Sequence, residues 1–224
     1  MNKELTLDRG TMITVAFQRE RILLFCDGRI TDFETHAIKF DNVTKLYEIT
    51  SMVAIACSGF KLHDLEKRIQ QLARQHNHWY IEDVILDARQ AVVELWNFKV
   101  MVHGAANLKE AAIFIIVAGV NKEGDCGIFS IHKQEDHSFR VDQVSMLSEL
   151  SLHTVCYVDK AREIVDRNYR ELQNVNTGEP TDQQLYEIFR MSMEEVNRID
   201  DTIGGEIFSL KIDKQGVSAL YHPK

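Results

Sequence analysis

The sequence has few of the features that mark membrane, secreted or nucleic-acid-binding proteins. Its longest apolar run, residues 111–120, is far shorter than the roughly 20 residues that a membrane-spanning helix needs. The N-terminal region has no apolar signal segment, so we expect a cytoplasmic protein with no membrane partner. A net charge of -8 lacks the basic excess that binding to phosphates requires, and we expect no nucleic-acid partner.

Cysteine and glycine motifs are also scarce. The four cysteines include no C-x-x-C pair, so we interpret them as reduced thiols packed in the interior. No glycine-rich phosphate loop is present, and we predict no nucleotide site, no other cofactor and no metal. The short motif His76-Asn77-His78 resembles a metal-binding fragment, but it has no recognisable partner cluster in the sequence.

Apolar runs and turn residues predict a regular alternation of strand groups and helix pairs. A chain of 224 residues with 45% hydrophobic content can bury a sizeable core, and we found no linker, so we expect one domain over residues 11–224 after a polar leader of residues 1–10. The predicted strands lie within 12–26, 43–58, 111–119, 127–132, 137–145, 206–212 and 216–221.

Helical periodicity occupies the gaps between the strand groups. Two helices are predicted around 62–72 and 81–95, a third over about 149–172 and a fourth over about 181–199, where Thr181 and Gln184 can form a capping box. Helix pairs between strand groups favour antiparallel sheets flanked by helices, an α+β fold, over a parallel doubly wound fold.

Several polar residues follow directly on buried-type strands. Asp27 comes after the apolar run ILLFC, and Lys45 lies inside the predicted strand VTKLYEI, where an unpaired ammonium would be costly. Pairing with Asp27 would offset that cost, either as part of a catalytic site or as a purely structural ion pair. Gly59 ends the next strand and opens a predicted helix, so its amide is a candidate free donor.

The bond between Gly10 and Thr11 allows two interpretations. Thr11 is either an ordinary β-branched residue that opens a strand or, if the chain is cut after Gly10, a residue with a free amine and a hydroxyl.

The spacing of these residues resembles the proteasome β-subunit family, including the HslV-type peptidases, among the N-terminal-nucleophile (Ntn) hydrolases. Asp27, in a D-x-R motif, lies 16 residues after Thr11; Lys45 precedes an apolar residue; and Gly59 lies 14 residues after Lys45. A D-x-x-x-G-G motif follows at residues 200–205. The resemblance extends over about residues 10–221, and it rests on the combined spacing of these residues and motifs.

The resemblance implies a four-layer αββα sandwich and a self-processed threonine peptidase. It implies a homo-oligomeric ring or spiral that acts on peptide or unfolded protein, with an unfoldase ATPase as a possible partner. The implied catalytic residues are Thr11, Asp27, Lys45, Gly59, Ser148 and Asp200, the implied cleavage site is Gly10-Thr11, and the implied substrate-binding residues are Arg29, Thr31, Cys57 and Lys61.

The sequence departs from the family pattern at several places. The loop of residues 32–41 is about two residues longer than usual, Ile203 stands where many active members have serine, and the glycines of a G-S-G turn are missing around Ser148. Lys61 replaces a small residue of the specificity pocket, which implies a preference for acidic side chains. A catalytically inactive ring subunit and a small-molecule amidase of the Ntn group therefore remain as alternatives.

Overall fold

The computed structural model describes residues 11–32, 35, 37–145, 150–156, 158–175 and 178–220. In these residues the chain forms three antiparallel sheets and four α-helices, which confirms the predicted α+β class. The strands are β1 (Met12–Gln18), β2 (Arg21–Asp27), β3 (Ile30–Thr31), β4 (Ile38–Phe40), β5 (Leu46–Thr50), β6 (Val53–Gly59), β7 (Ile113–Val120), β8 (Cys126–Lys133), β9 (Phe139–Gln143), β10 (Leu150–Cys156), β11 (Ile207–Asp213) and β12 (Gly216–Ala219). The helices are α1 (Leu65–His76), α2 (Ile81–His103), α3 (Ala161–Val175) and α4 (Asp182–Ile199), with a short 3-10 helix at Ala105–Leu108.

The first sheet has the order β10-β1-β2-β11-β12. Its centre is the predicted hairpin of β1 and β2, which closes where Gln18 pairs with Arg21 across a two-residue turn. The β1 strand lies inside the sheet with a strand on each side. It is buried along its whole length because both of its faces are covered, one by the second five-stranded sheet and the other by α3 and α4. This arrangement brings the start of β1 beside the end of β2.

The second sheet runs β5-β6-β7-β8-β9 in sequence order, as a meander interrupted by α1 and α2 between β6 and β7. Its central strands are continuous apolar runs, VAIAC in β6 and IFIIVAGV in β7, which fits strands that are covered on both faces. A separate two-stranded sheet joins β3 and β4.

Three apolar clusters account for the packing. One fills the space between α1, α2 and the second sheet, and it includes Ile69, Val92 and Val117. Another contains residues of both five-stranded sheets, such as Val15 and Ala118. The last cluster packs α3 and α4 on the first sheet, and it includes the strand residues Ala16 and Phe25. The ring of Phe25 stacks on that of Phe189 in α4, with a centroid distance of 5.5 Å.

Most of the predicted elements are confirmed. Helix α4 begins as expected: the Gln184 amide donates to Thr181 Oγ1 at 3.2 Å, and Gln184 Oε1 accepts from the Thr181 amide at 2.9 Å. Within the described residues no helix is long and apolar enough to cross a membrane.

The prediction of a helix over about 149–172 is wrong in its first part. Residues 150–156 form β10, and the helix begins only at Ala161. The segment LSLHTVC contains the β-branched residues Thr154 and Val155, and it pairs with β1 over its whole length. Strand β4 lies within residues 32–41, which the sequence predicted only as a loop, and it pairs with β3.

Candidate functional site

The candidate site lies where β1 begins and where β2 and β6 end. Thr11 directly precedes β1, Asp27 is the last residue of β2, and Lys45 directly precedes β5. Lys45 is therefore at the entrance of its strand and not inside it, as the sequence had suggested. Gly59 ends β6 as predicted, but α1 begins only at Leu65, so the Gly59 amide is a strand-end donor and not a helix-start donor.

Asp27 is the centre of the site and is fully buried. Its Oδ1 accepts hydrogen bonds from the Met12 amide at 2.8 Å and from Lys45 Nζ at 2.9 Å. Its Oδ2 accepts from the amides of Arg29 and Gly204, both at 3.3 Å. Burial raises the pKa of the Asp27 carboxyl, while Lys45 and the backbone donors act in the opposite direction.

Lys45 is held between a carboxylate and a carbonyl. Besides Asp27, its Nζ donates to the backbone oxygen of Arg29 at 2.8 Å, and only 8% of the residue is exposed. These two acceptors compensate for the cost of removing the ammonium from water. The predicted pairing of Asp27 and Lys45 is confirmed.

Arg29 lines the cleft, and its guanidinium also holds the loop after α4. Its guanidinium donates to Asp41 Oδ1 at 2.6 Å, to Asn197 Oδ1 at 3.1 Å and to the backbone oxygens of Asp201 and Ile203 at 2.6 and 3.3 Å. These bonds fix the loop that presents an amide to the buried aspartate. No local pattern predicts the bonds to Asn197, Asp201 and Ile203, because these partners lie more than 160 residues away in the chain.

Asp200 shapes the same loop from the end of α4. It caps that helix, and its Oδ1 accepts from the Thr202 amide at 2.9 Å and from Thr202 Oγ1 at 2.6 Å. The turn continues through two glycines, and Gly204 donates to the buried Asp27. Gly205 has φ +81, and a side chain there would overlap the Asp41 carbonyl. Asp200 thus supports the site through the turn it stabilises.

The direction of the Gly59 amide follows from the strand register. The Phe60 amide donates to the oxygen of Ala112, the residue before β7, at 2.6 Å. The Cys57 amide donates to the Lys45 oxygen on the opposite side at 3.0 Å. Because N–H groups alternate in direction along a strand, the Gly59 amide points to the same side as that of Cys57. It faces the segment that carries Lys45.

These elements line an open cleft with a cavity volume of about 60 Å³. Thr11 lines it, with only 7% of the residue exposed. The lining residues are Thr11, Arg29, Ile30, Val43, Thr44, Lys45, Tyr47, Cys57, Ser58, Gly59, Phe60 and Lys61. The structure therefore brings a threonine, a buried lysine and a strand-end glycine together around one cleft.

The other predicted site residues differ in their access to this cleft. Cys57 lines it, and burial raises the pKa of its thiol to about 12, so the thiol remains protonated near neutral pH. Lys61 is exposed at its rim. Thr31 is fully buried in β3 and does not belong to the lining. Gly10 and Ser148 lie outside the described residues.

No protein-family model matches this sequence, and a comparison with curated proteins found no match. The interpretation of the site therefore depends on its own geometry. A hydroxyl, a buried ammonium and a backbone amide around one cleft are groups that can act on a carbonyl carbon.

Proposed function

We propose that the protein is a threonine-type peptidase that processes itself, with Thr11 as the nucleophile after cleavage of the Gly10-Thr11 bond. The observation that carries the proposal is the position of Asp27 Oδ1, which joins the Lys45 ammonium to the amide of Met12, the residue next to Thr11. A buried ion pair is thereby placed one residue from a hydroxyl that lines a cleft.

The packing supports membership of the proteasome-like Ntn-hydrolase family, which we include in the proposal. The three apolar clusters lie between one helix pair and the second sheet, between the two sheets, and between the first sheet and the other helix pair. A four-layer αββα sandwich has the same succession of cores.

A threonine hydroxyl is a poor nucleophile at neutral pH and needs a base within hydrogen-bond reach. Cleavage after Gly10 would give Thr11 a terminal amine, and a neutral amine can take the hydroxyl proton. The positive charge of Lys45 disfavours a second positive charge nearby, so it favours the neutral form of that amine. Asp27 holds Lys45 in place and keeps its charge paired.

In the proposed reaction Thr11 Oγ bonds to the carbonyl carbon of the substrate while its proton passes to the terminal amine. The Gly59 amide stabilises the oxyanion, a contribution of about 2.7–4 kcal/mol for a single donor in other enzymes. The C–N bond then breaks, the amine returns the proton to the leaving nitrogen, and an ester remains on Thr11. Water, activated by the same amine, hydrolyses the ester and restores the hydroxyl.

The same groups are proposed to cut the leader. Thr11 Oγ attacks the Gly10 carbonyl, the bond from that carbon to the Thr11 nitrogen breaks, and the nitrogen takes the hydroxyl proton. The resulting ester between Gly10 and Thr11 is hydrolysed by water. The products are a leader that ends in a carboxylate and a chain that begins with a free amine.

We further propose that the substrates are peptides or unfolded protein, that acidic side chains are preferred because of Lys61 at the rim, and that the protein works in the cytoplasm. A homo-oligomeric ring or spiral, with an unfoldase ATPase as a possible partner, would restrict access to the cleft. Ile30 and Val43 give the cleft an apolar wall that suits extended peptide.

A structural subunit without activity is the second candidate. One observation favours it: all four hydrogen bonds to Asp27 come from groups of the fold itself, the Lys45 ammonium and three backbone amides. Such a network holds β1, β2 and the loop after α4 together even if Thr11 is never released.

Peptide cleavage by Thr11 variants tests the peptidase proposal. We expect Thr11→Ala to lose turnover of fluorogenic peptides and Thr11→Ser to keep part of it, since serine retains a hydroxyl at the same atom. Full turnover by Thr11→Ala would refute the assigned nucleophile. If the wild type, Thr11→Ala and Thr11→Ser all fold and none of them cleaves the peptides, the structural-subunit candidate is favoured.

A further inference from the structure

A second cluster of reactive side chains lies where α1 ends and α2 begins, among residues that do not line the cleft. His76 Nδ1 is 2.7 Å from Asp87 Oδ1, and His78 Nδ1 is 2.9 Å from Asp87 Oδ2. The two imidazole rings are 5.3 Å apart between centroids. The expectation that these histidines have no partner cluster is therefore wrong, because the fold brings Asp87 to them from the second turn of α2.

Asp87 has an unusual environment for a carboxylate. Only 2% of the residue is exposed, and both of its oxygens point to imidazole nitrogens. Among the described residues no lysine or arginine pairs with Asp87 to supply a permanent compensating positive charge. A bound cation would supply that charge directly.

The turn that carries His76 and His78 is held by hydrogen bonds that do not involve Asp87. Asn77 adopts the left-handed conformation with φ 56, which ends α1 and reverses the chain. The His78 amide donates to the Ala73 oxygen at 2.8 Å, Trp79 Nε1 donates to Asn77 Oδ1 at 3.0 Å, and Thr50 Oγ1 donates to the Trp79 oxygen at 2.7 Å. The cluster is thus built on a fixed turn.

We propose that His76, His78 and Asp87 bind a divalent transition-metal ion of the Zn²⁺ type. Each residue offers one ligand atom, and these atoms lie within 4.8 Å of one another. Bonds of about 2.0–2.1 Å in a tetrahedral zinc site put neighbouring ligand atoms about 3.3 Å apart, so the ion fits after side-chain shifts of an ångström or less. Two imidazoles and one carboxylate favour zinc, cobalt or nickel over calcium and magnesium, which prefer oxygen ligands.

Entry and protonation are both compatible with binding. The side chains of His76 and His78 are 35% and 27% exposed, so an ion can enter from solvent and keep a water as its fourth ligand. Coordination through Nδ1 requires the proton of each neutral ring to reside on Nε2. The carboxylate exchanges two hydrogen bonds for one metal–oxygen bond.

The bound ion would join the last residue of α1 to α2 and so stabilise the helix pair that covers the second sheet. This role is independent of the proposed peptidase activity, since none of the three residues lines the cleft. The metal proposal therefore stands or fails separately from the assignment of Thr11.

Titration of the chelator-treated full-length protein tests the proposal. We expect one equivalent of ZnCl₂ to bind in calorimetry and to raise the unfolding temperature, and CoCl₂ to give the strong visible absorption of a tetrahedral site. His78→Asn and Asp87→Asn should weaken binding by at least about tenfold. His63→Asn is the matched control, because His63 is exposed and lies outside the cluster, and it should bind as the wild type does.

Two results would overturn the proposal. One is a wild-type protein that gives neither a stoichiometric zinc isotherm nor a tetrahedral cobalt band. The other is a His78→Asn protein, folded by circular dichroism, whose cobalt titration matches that of the wild type. If Asp87→Asn does not fold, the wild-type and His78→Asn titrations decide the question alone.

Discussion

Lys45 Nζ lies 2.9 Å from Asp27 Oδ1, and both residues are shielded from solvent. The sequence places Asp27 at the end of a strand and Lys45 among apolar residues, where an unpaired ammonium would be costly. Their contact makes the two side chains one buried ion pair. The pair also bonds to the backbone of two segments, through the Met12 amide at the start of β1 and the Arg29 oxygen after β2. It links the stability of the fold to the position of Thr11.

Removing the Lys45 side chain should therefore destabilise the folded protein. Lys45→Ala leaves Asp27 buried without its charged partner, and we expect a loss of about 3–5 kcal/mol in the free energy of unfolding. Lys61→Ala is the control in the same cleft, because that side chain is exposed, and it should change stability by no more than about 0.5 kcal/mol. Urea denaturation measures the free energy of unfolding of both variants. If the two variants lose equally little of it, the buried pair contributes little to stability.

Gly59 should tolerate no side chain. Its φ is +87, and an added Cβ would overlap the Ala112 carbonyl oxygen. Gly124 has nearly the same φ, +90, but nothing lies within 4 Å of a Cβ there. Gly124→Ala should lose about 1–2 kcal/mol for the left-handed conformation alone, and Gly59→Ala about 1–3 kcal/mol more for overpacking.

Thermal unfolding of the two alanine variants makes this comparison. If Gly124→Ala is destabilised as much as Gly59→Ala, the positive φ alone accounts for the loss at Gly59. The close approach of Ala112 then has no separate effect on stability.

Lys61 should influence which peptides are cut. If the proposed peptidase activity holds, the ammonium at the rim attracts acidic side chains, and Lys61→Ala should lower kcat/KM for peptides with an acidic residue before the cut. Peptides with an uncharged residue there should be cut as before. The effect should shrink as salt is added, because the side chain is exposed. A parallel loss on both peptide sets would assign Lys61 a role other than charge recognition.

His153 should make the protein less stable in mild acid. Burial, followed by the nearby charge of Arg162, lowers the pKa of His153 in the folded state. The unfolded chain then binds a proton more readily than the folded one, so this contribution is complete above the ordinary pKa of about 6.5 and is lost as the pH falls below it.

Urea midpoints at about pH 7.5 and pH 5.5 test this prediction in the wild type and in His153→Gln. The variant should lose less stability between the two pH values than the wild type does. His63→Gln, at an exposed position, should behave as the wild type; a His153→Gln protein with the wild-type pH dependence would contradict the assignment.

Local signals in the sequence predicted the parts of the fold that depend on near neighbours. The capping box of Thr181 and Gln184 spans three residues, and the hairpin of β1 and β2 closes over a two-residue turn. The strand at residues 150–156 was not predicted because its extended conformation depends on pairing with β1, more than 130 residues earlier in the chain. Pattern alone could not supply that partner.

The candidate site shows the same division. Asp27 and Lys45 were identifiable because a buried lysine needs a partner, whereas the Gly204 amide and the contacts of the Arg29 guanidinium depend on a loop that folds back from the end of α4. Asp87 gave no signal either, since an aspartate on a helix is ordinary until the fold places two imidazoles beside it.

The mass of the intact protein, purified under native conditions, tests the central proposal most directly. We predict a chain that begins at Thr11 in the wild type and a chain that keeps residues 1–10 in Thr11→Ala. A folded wild-type protein whose mass retains residues 1–10 would contradict the proposal, because Thr11 would then have no free amine to act as its base.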